Sequence, residues 1–213
     1  MKTTILLVDD HQMFRDGLRA ILQRSPRLQV VAEAADGRRA VELATGKLAP
    51  QVVIMDIGMP GLNGAEATRQ ILTRRPQIRV IALSSHADRR FVVAMLDAGA
   101  SGYVLKECAS DEILRAISAA TQGRTFLSTG VAAADNSRGK SPKSPAPACP
   151  LGTREREVLQ LLAEGKTSRQ IGLMLFISPK TVEVHRRHIM DKLQLHNVAE
   201  LTKYAVREGL TSV

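Results

Sequence analysis

The chain has 213 residues, 44% of them hydrophobic, and 30 Lys and Arg stand against 21 Asp and Glu. That length favours one or two domains with ordinary packed cores, and it excludes a disordered chain or a disulfide-dependent scaffold, since only Cys108 and Cys149 are present and without metal-ligand spacing. The net charge of +9 divides into +4 over residues 1–127, +2 over 128–150 and +3 over 151–213, so it permits nucleic-acid binding without locating it.

No apolar run reaches the roughly 18 residues of a membrane span, and Met1–Thr4 lead straight into Ile5–Val8 instead of a signal peptide. A cytoplasmic location is expected. Strand-like runs then follow at Ile5–Val8, Gln29–Ala32, Val52–Met55, Val80–Leu83 and Gly102–Leu105. Helical patterns near Met13–Gln23, Arg38–Thr45, Gly64–Arg74, Arg89–Ala98 and Asp111–Gln122 separate them, with Pro26, Pro50, Pro76 and Gly99 at the junctions. Five βα units of this kind predict an α/β domain over residues 1–127, a flavodoxin-like, doubly wound, five-stranded parallel sheet.

Residues 128–149 break the pattern with Gly, Ser, Pro, Ala and Lys, which bury too little apolar surface to order a chain, and predict a flexible linker. Residues 150–213 return to a purely helical period and predict a small all-α domain of four helices. Thr153 is the expected cap of the first, Thr167 with Gln170 forms a capping box for the second, Ser178-Pro179 starts the third, and Asn197 with Glu200 opens the fourth.

Function is concentrated where the strand-like runs end. If those runs are parallel, Asp9-Asp10, Asp56, Ser84 and Lys106 converge at the edge where open α/β sheets bind ligands. Two carboxylates ~4 Å apart repel by about 4 kcal/mol at an effective dielectric near ~20, so a cation belongs among them. Mg2+ suits oxygen donors that leave room for water and phosphate. Asp56 is the expected nucleophile, being the lone acid that ends the central strand and opens the loop Ile57–Gly64; Ser84 and Lys106 would hold the phosphoryl group it carries. Each acid taken alone reads more readily as a strand-end or cap residue, whereas the set in register reads as an acceptor site.

The motifs Leu7-Val8-Asp9-Asp10-His11, Met55-Asp56-Ile57-Gly58-Met59-Pro60-Gly61-Leu62-Asn63-Gly64 and Gly102-Tyr103-Val104-Leu105-Lys106 resemble those of the receiver domain of two-component response regulators. The resemblance spans about residues 3–122. It implies that Asp56 is phosphorylated by a sensor histidine kinase, that Asp9, Asp10, Asp56 and the Gly58 carbonyl hold Mg2+, that Ser84 and Lys106 contact the phosphoryl group, and that Tyr103 is an aromatic switch. Glu107 stands where many receivers place a proline after the lysine.

Ser168–Leu175, a turn at Phe176-Ile177 and a helix from Pro179 to about Leu193 read as a helix-turn-helix, with Val182, Ile189 and Leu193 on the inward face. Lys180, Glu183, Val184, Arg187 and Asp191 share the opposite face. Val184 suits a thymine methyl, Arg187 guanine and Glu183 cytosine, while Lys180, Thr181, Arg186 and Lys192 suit phosphates. His185 and His188 lack further ligands for a metal.

Leu151–Leu159 and Ile177–Arg186 resemble the LuxR-type DNA-binding domain, which joined to a receiver marks the NarL/FixJ subfamily. The implied partners are the kinase, double-stranded DNA with paired half-sites, and a second copy of the chain, joined through Asn197–Glu208 with Val198, Leu201 and Ala205 as an apolar seam. The implied function is transcriptional control rather than catalysis. A phosphatase resembling the haloacid dehalogenase group would carry a second acid two residues after its nucleophile, where Gly58 stands; a phosphorylation-independent receiver would not need the full acid set.

Overall fold

The structure, a computed structural model, describes residues 2–85, 87–131 and 151–211. By its internal contacts the chain divides into two units, Met1–Gly139 and Lys140–Val213. In the first, strands β1 (Thr3–Val8), β2 (Leu28–Ala34), β3 (Val52–Asp56), β4 (Arg79–Ser84), β5 (Gly102–Leu105) and β6 (Phe126–Leu127) form one sheet in the order β2-β1-β3-β4-β5-β6. All pairings are parallel. The central strands read as continuous apolar runs because helices cover both faces of the sheet, so inward and outward positions are both dry.

Alternate residues of those strands serve two cores. Ile5, Leu7, Ile54 and Leu83 pack with α1 (Gln12–Gln23) and α5 (Ala109–Thr121). Leu6, Val8, Val53 and Met55 pack with α2 (Gly37–Thr45), α3 (Gly64–Arg74) and α4 (Arg89–Asp97). Side-chain caps fix where three helices begin: Asp36, Asn63 and Asp88 accept from the backbone N–H of Arg39, Glu66 and Arg90.

The sheet has six strands rather than the expected five. Two residues are too few to show an alternating pattern, and β6 is held instead by long-range bonds, the Phe126 N–H to the Ser101 carbonyl and the Ser128 N–H to the Tyr103 carbonyl. Residues 128–131, expected to begin the linker, also belong to this unit. Ser128 is fully buried, its hydroxyl and that of Thr129 donate to Glu112 of α5, and Val131 joins the core. The remainder of the expected linker lies outside the described residues.

The second unit consists of α6 (Thr153–Ala163), α7 (Ser168–Leu175), α8 (Pro179–Leu193) and α9 (Val198–Arg207). Val158, Leu159, Leu161, Ile171, Val182, Ile189, Leu201 and Ala205 form its core. The cap of α6 is Gly152 rather than Thr153: the Gly152 N–H donates to the Glu155 carboxylate at 2.8 Å, making Thr153 the first helical residue. Thr167, Ser178 and Asn197 cap the other helices as expected. Between α7 and α8 the chain turns through Phe176 at φ 56°, and the Ile177 N–H bonds back to the Gly172 carbonyl at 2.9 Å. Gly172 permits this closeness, since a Cβ there would lie 2.7 Å from the Ile177 carbonyl oxygen.

Candidate functional site

Parallel register sets the first site. Met55 pairs with Val8, Asp56 with Leu83 and Ser84 with Leu105, so the residues that end or follow β1, β3, β4 and β5 share one edge. Asp9, Asp56 and Ser84 are buried there, and Lys106 is half-buried. Lys106 Nζ lies 2.6 Å from Asp9 Oδ2 and 3.1 Å from Asp56 Oδ2. The five residues expected at the acceptor therefore lie together along one edge.

Three more residues build the site without a sequence expectation. The His11 N–H donates to Asp9 Oδ1 at 2.8 Å, and His11 Nδ1 stands 2.8 Å from Asp10 Oδ1. Arg15 donates to the Asp9 carbonyl, and the Phe14 ring lies 5.0 Å from Lys106 Nζ, within cation–π range. His11 was visible as the residue that follows the acid pair. Phe14 and Arg15 depend on how α1 turns over β1, which no local pattern displays.

Charge is out of balance here. Burial, then repulsion from Asp9, raises the Asp56 pKa above its ordinary value, and Lys106 offsets this only in part. Burial alone would lower Lys106, but the hydrogen bond to Asp9 and the charges of Asp56 and Asp9 outweigh it and hold its pKa up. Three carboxylates against one ammonium leave a net negative cluster, and ligand atoms of Asp9, Asp10, His11 and Asp56 all lie within 4.8 Å of one another. Asp9 Oδ2 and Asp10 Oδ1 are buried oxygens, the first against Lys106 Nζ and the second against His11 Nδ1. Hard oxygen donors with unspent lone pairs and excess negative charge fit a hard divalent cation. Gly58, two residues beyond Asp56, is exposed in a loop whose Ile57, Met59 and Leu62 are buried.

Tyr103 is fully buried, and its hydroxyl is hydrogen-bonded to Ser84. Burial pushes its pKa up to about 12, with the Ser84 bond acting in the opposite sense.

In the second unit, α8 presents Lys180, Glu183, Val184, Arg187 and Asp191 to solvent, while Val182 and Ile189 are buried. Arg186 lies half-buried, 3.9 Å from Glu183, and Thr181 is tied to the Ser178 cap. The Glu183 carboxylate also accepts from the Ser168 hydroxyl of α7.

Two expectations change. Lys192 is not free for phosphate: its Nζ bonds Glu155 of α6 at 2.7 Å. Burial would raise Glu155, but the bonds from Lys192 and the Gly152 N–H outweigh it and hold that carboxyl below its ordinary value. The seam expected on α9 is also not exposed. Leu201 and Ala205 are buried in the unit's own core, and only Val198 reaches the surface, because helical spacing marks an apolar face without saying what covers it.

An acid-and-lysine pocket at the carboxyl edge of a doubly wound sheet, joined in one chain to a helix-turn-helix, defines a phosphoacceptor regulator of DNA. The comparisons agree. Residues 5–118 match the response regulator receiver domain and residues 150–205 match the luxR family of bacterial regulatory proteins. The transcriptional regulatory protein LiaR of Bacillus subtilis is 41% identical, over 98% of this chain and 99% of LiaR. The RcsB response regulator of Salmonella typhimurium superposes with a TM-score of 0.60 at 28% identity, covering 95% of this chain and 97% of its own. An RcsB–DNA complex gives 0.61 at 26% identity, with 97% and 99% coverage.

The chain belongs to the two-component response regulators that join a receiver domain to a LuxR-type helix-turn-helix domain. It is thus a DNA-binding transcription regulator, of a family whose general mechanism is phosphorylation of the receiver by a sensor kinase. No helix among the described residues is long and apolar enough to cross a membrane.

Proposed function

We propose that Asp56 is the phosphoryl acceptor and that its phosphorylation, in the cytoplasm, controls binding of α8 to DNA. The observation that carries this reading is the convergence of Asp9, Asp10, Asp56, Ser84 and Lys106 on one sheet edge, with Lys106 within 3.1 Å of two of the carboxylates. An Asp56 carboxylate oxygen attacks the phosphorus of a phosphohistidine. The new O–P bond forms as the N–P bond breaks, and the imidazole keeps the departing electron pair and takes a proton from solvent.

Asp9 and Asp10, with Asp56 and the Gly58 carbonyl, would hold Mg2+. When bound, the ion offsets the carboxylate repulsion and the charge of the transferred group. Lys106 moves from one carboxylate oxygen to a phosphoryl oxygen, and the Ser84 hydroxyl donates to another. That second step has a consequence for Tyr103. Once Ser84 turns to the phosphoryl group, the buried tyrosine hydroxyl loses its bond to Ser84, which couples the acceptor to β5 and the helices beside it.

On DNA, Val184, Arg187 and Glu183 read base edges, and Lys180, Thr181 and Arg186 contact phosphates. Lys192 acts by tying α8 to α6 through Glu155. Active molecules pair on half-sites as homodimers. If α9 forms that contact, its exposed face is built around Val198 and Ala199 instead of Leu201 and Ala205. The direct test is intact mass after incubation with Mg2+ and a small acyl-phosphate donor: wild type gains one phosphoryl group and Asp56→Asn gains none. Equal labelling of both proteins would move the acceptor elsewhere.

A further inference from the structure

The +4 excess of the first unit is not spread over its surface. Arg15, Arg19, Arg39, Arg69, Arg90 and Lys106 each face a carboxylate. At the opposite edge, where the strands begin, Lys2, Arg24, Arg27, Lys47, Arg79 and Arg124 are all exposed and, among the described residues, make no ion pair. The acids nearest that edge are Asp97, which ends α4, and Glu42, in the last turn of α2 and paired with Arg39.

Their order follows the sheet. Arg27 precedes β2, Lys2 precedes β1, Lys47 lies on the path into β3, Arg79 opens β4, and Arg124 precedes β6. Backbone bonds from Thr3 to Arg27 and from Arg79 to Gln51, at 2.8 and 3.0 Å, tie neighbouring entries together. Six strands at about 4.8 Å spacing span roughly 24 Å. The rim is therefore a band of positive charge on a rigid edge.

Helix dipoles account for only part of it. Arg24 and Arg75 cap the carboxyl ends of α1 and α3, and Arg74 lies in the last turn of α3, where a cation is favoured. Arg124 also follows the carboxyl end of α5, its N–H bonding the Ala119 carbonyl, whereas Lys2, Arg27 and Arg79 stand outside any helix end and mutual repulsion disfavours crowding them together.

We infer that this rim is a sequence-independent contact surface for the phosphate backbone of DNA, distinct from the acceptor edge and from α8. The inference rests on the DNA-binding reading of the second unit, to which the first is covalently joined, so that a rim contact would add to DNA binding as an intramolecular step. An exposed row of unpaired cations with almost no acid complements a polyanion, and a duplex carries one negative charge per about 1.7 Å of axis.

The experiment uses the full chain and a short duplex of random sequence, with affinity followed across a salt series. The test variant is Arg27→Glu, Lys47→Glu and Arg79→Glu together, side chains with no described hydrogen bond or ion pair. Each phosphate contact contributes about 0.9 to the slope of log affinity against log salt. The slope of this variant is expected to fall by about 2.7 or more, with an unchanged melting midpoint and unchanged labelling by acyl phosphate. A companion with Arg27→Lys and Arg79→Lys, and Lys47 retained, keeps the wild-type slope, since counterion release counts charge. An unchanged slope in the Glu variant overturns the inference while leaving the DNA-binding reading intact. Absence of any salt-dependent DNA binding by wild type removes both.

Discussion

Gly64 is where the fold and the acceptor chemistry meet. A Cβ added there would lie 2.1 Å from the Asp56 carbonyl oxygen and 2.9 Å from the Ile57 Cα. Carbon and oxygen in contact need about 3.3 Å, so Gly64→Ala forces the start of α3 and the backbone of Asp56 apart by roughly 1.2 Å. The obstacle is main chain, which cannot swing aside, and the Gly64 N–H bond to the Ile57 carbonyl, now 3.1 Å, is strained with it. Overpacking of this kind costs about 1–3 kcal/mol, and a ~1 Å misplacement of a reacting group costs on the order of 100-fold in rate. The expected result is therefore a lower melting midpoint together with a phosphorylation rate, read by intact mass over time, about two orders of magnitude below wild type. Gly58→Ala is the control, because its Cβ meets nothing within 4 Å; its stability should stay within about 0.5 kcal/mol of wild type. Wild-type stability and rate in Gly64→Ala would refute the close approach of α3 to Asp56.

Leu201→Ala removes a fully buried side chain, so it should destabilise the second unit by about 2–5 kcal/mol in a denaturant titration, whereas a seam residue would leave that midpoint unmoved. Glu112 is held below its ordinary pKa: burial opposes this, but the bonds from Ser128 and Thr129 prevail. Its contribution is therefore complete above the unfolded value near 4.5 and disappears as pH falls through the lower folded value, and the stability gap between wild type and Glu112→Gln should narrow on acidification below about pH 4.5. A gap that widens in acid would reverse that sign. Arg187→Ala should relax base preference by about 1–3 kcal/mol at one position in a binding-site selection, while Lys192→Ala should lower the melting midpoint and leave base preference unchanged. A uniform loss for Arg187→Ala across all sequences would reassign it to phosphate.

The strands β1, β3, β4 and β5 were legible as continuous apolar runs and β2 as a shorter one, and Asp9, Asp56, Ser84 and Lys106 were legible because parallel strands place such residues at one edge. What escaped was long-range. β6 is two residues stitched to Ser101 and Tyr103, and Ser128–Val131 resemble a linker until Glu112, sixteen residues earlier, accepts from them. Lys192 reads as a surface cation because its partner Glu155 stands 37 residues away. The apolar stripe of α9 was correctly seen as apolar, but periodicity does not distinguish the domain's own core from a second copy. The charge segregation of the first unit likewise needs the topology, since Lys2, Arg27, Arg79 and Arg124 are scattered along the chain.

The most direct measurement is the affinity of the full chain for an operator duplex, at one fixed salt concentration, before and after acyl-phosphate treatment with Mg2+, in wild type and in Asp56→Asn. Phosphorylated wild type should bind more tightly, and Asp56→Asn should show a single affinity under both conditions. A wild-type affinity indifferent to treatment, with the phosphoryl group present by intact mass, would contradict control of DNA binding by Asp56.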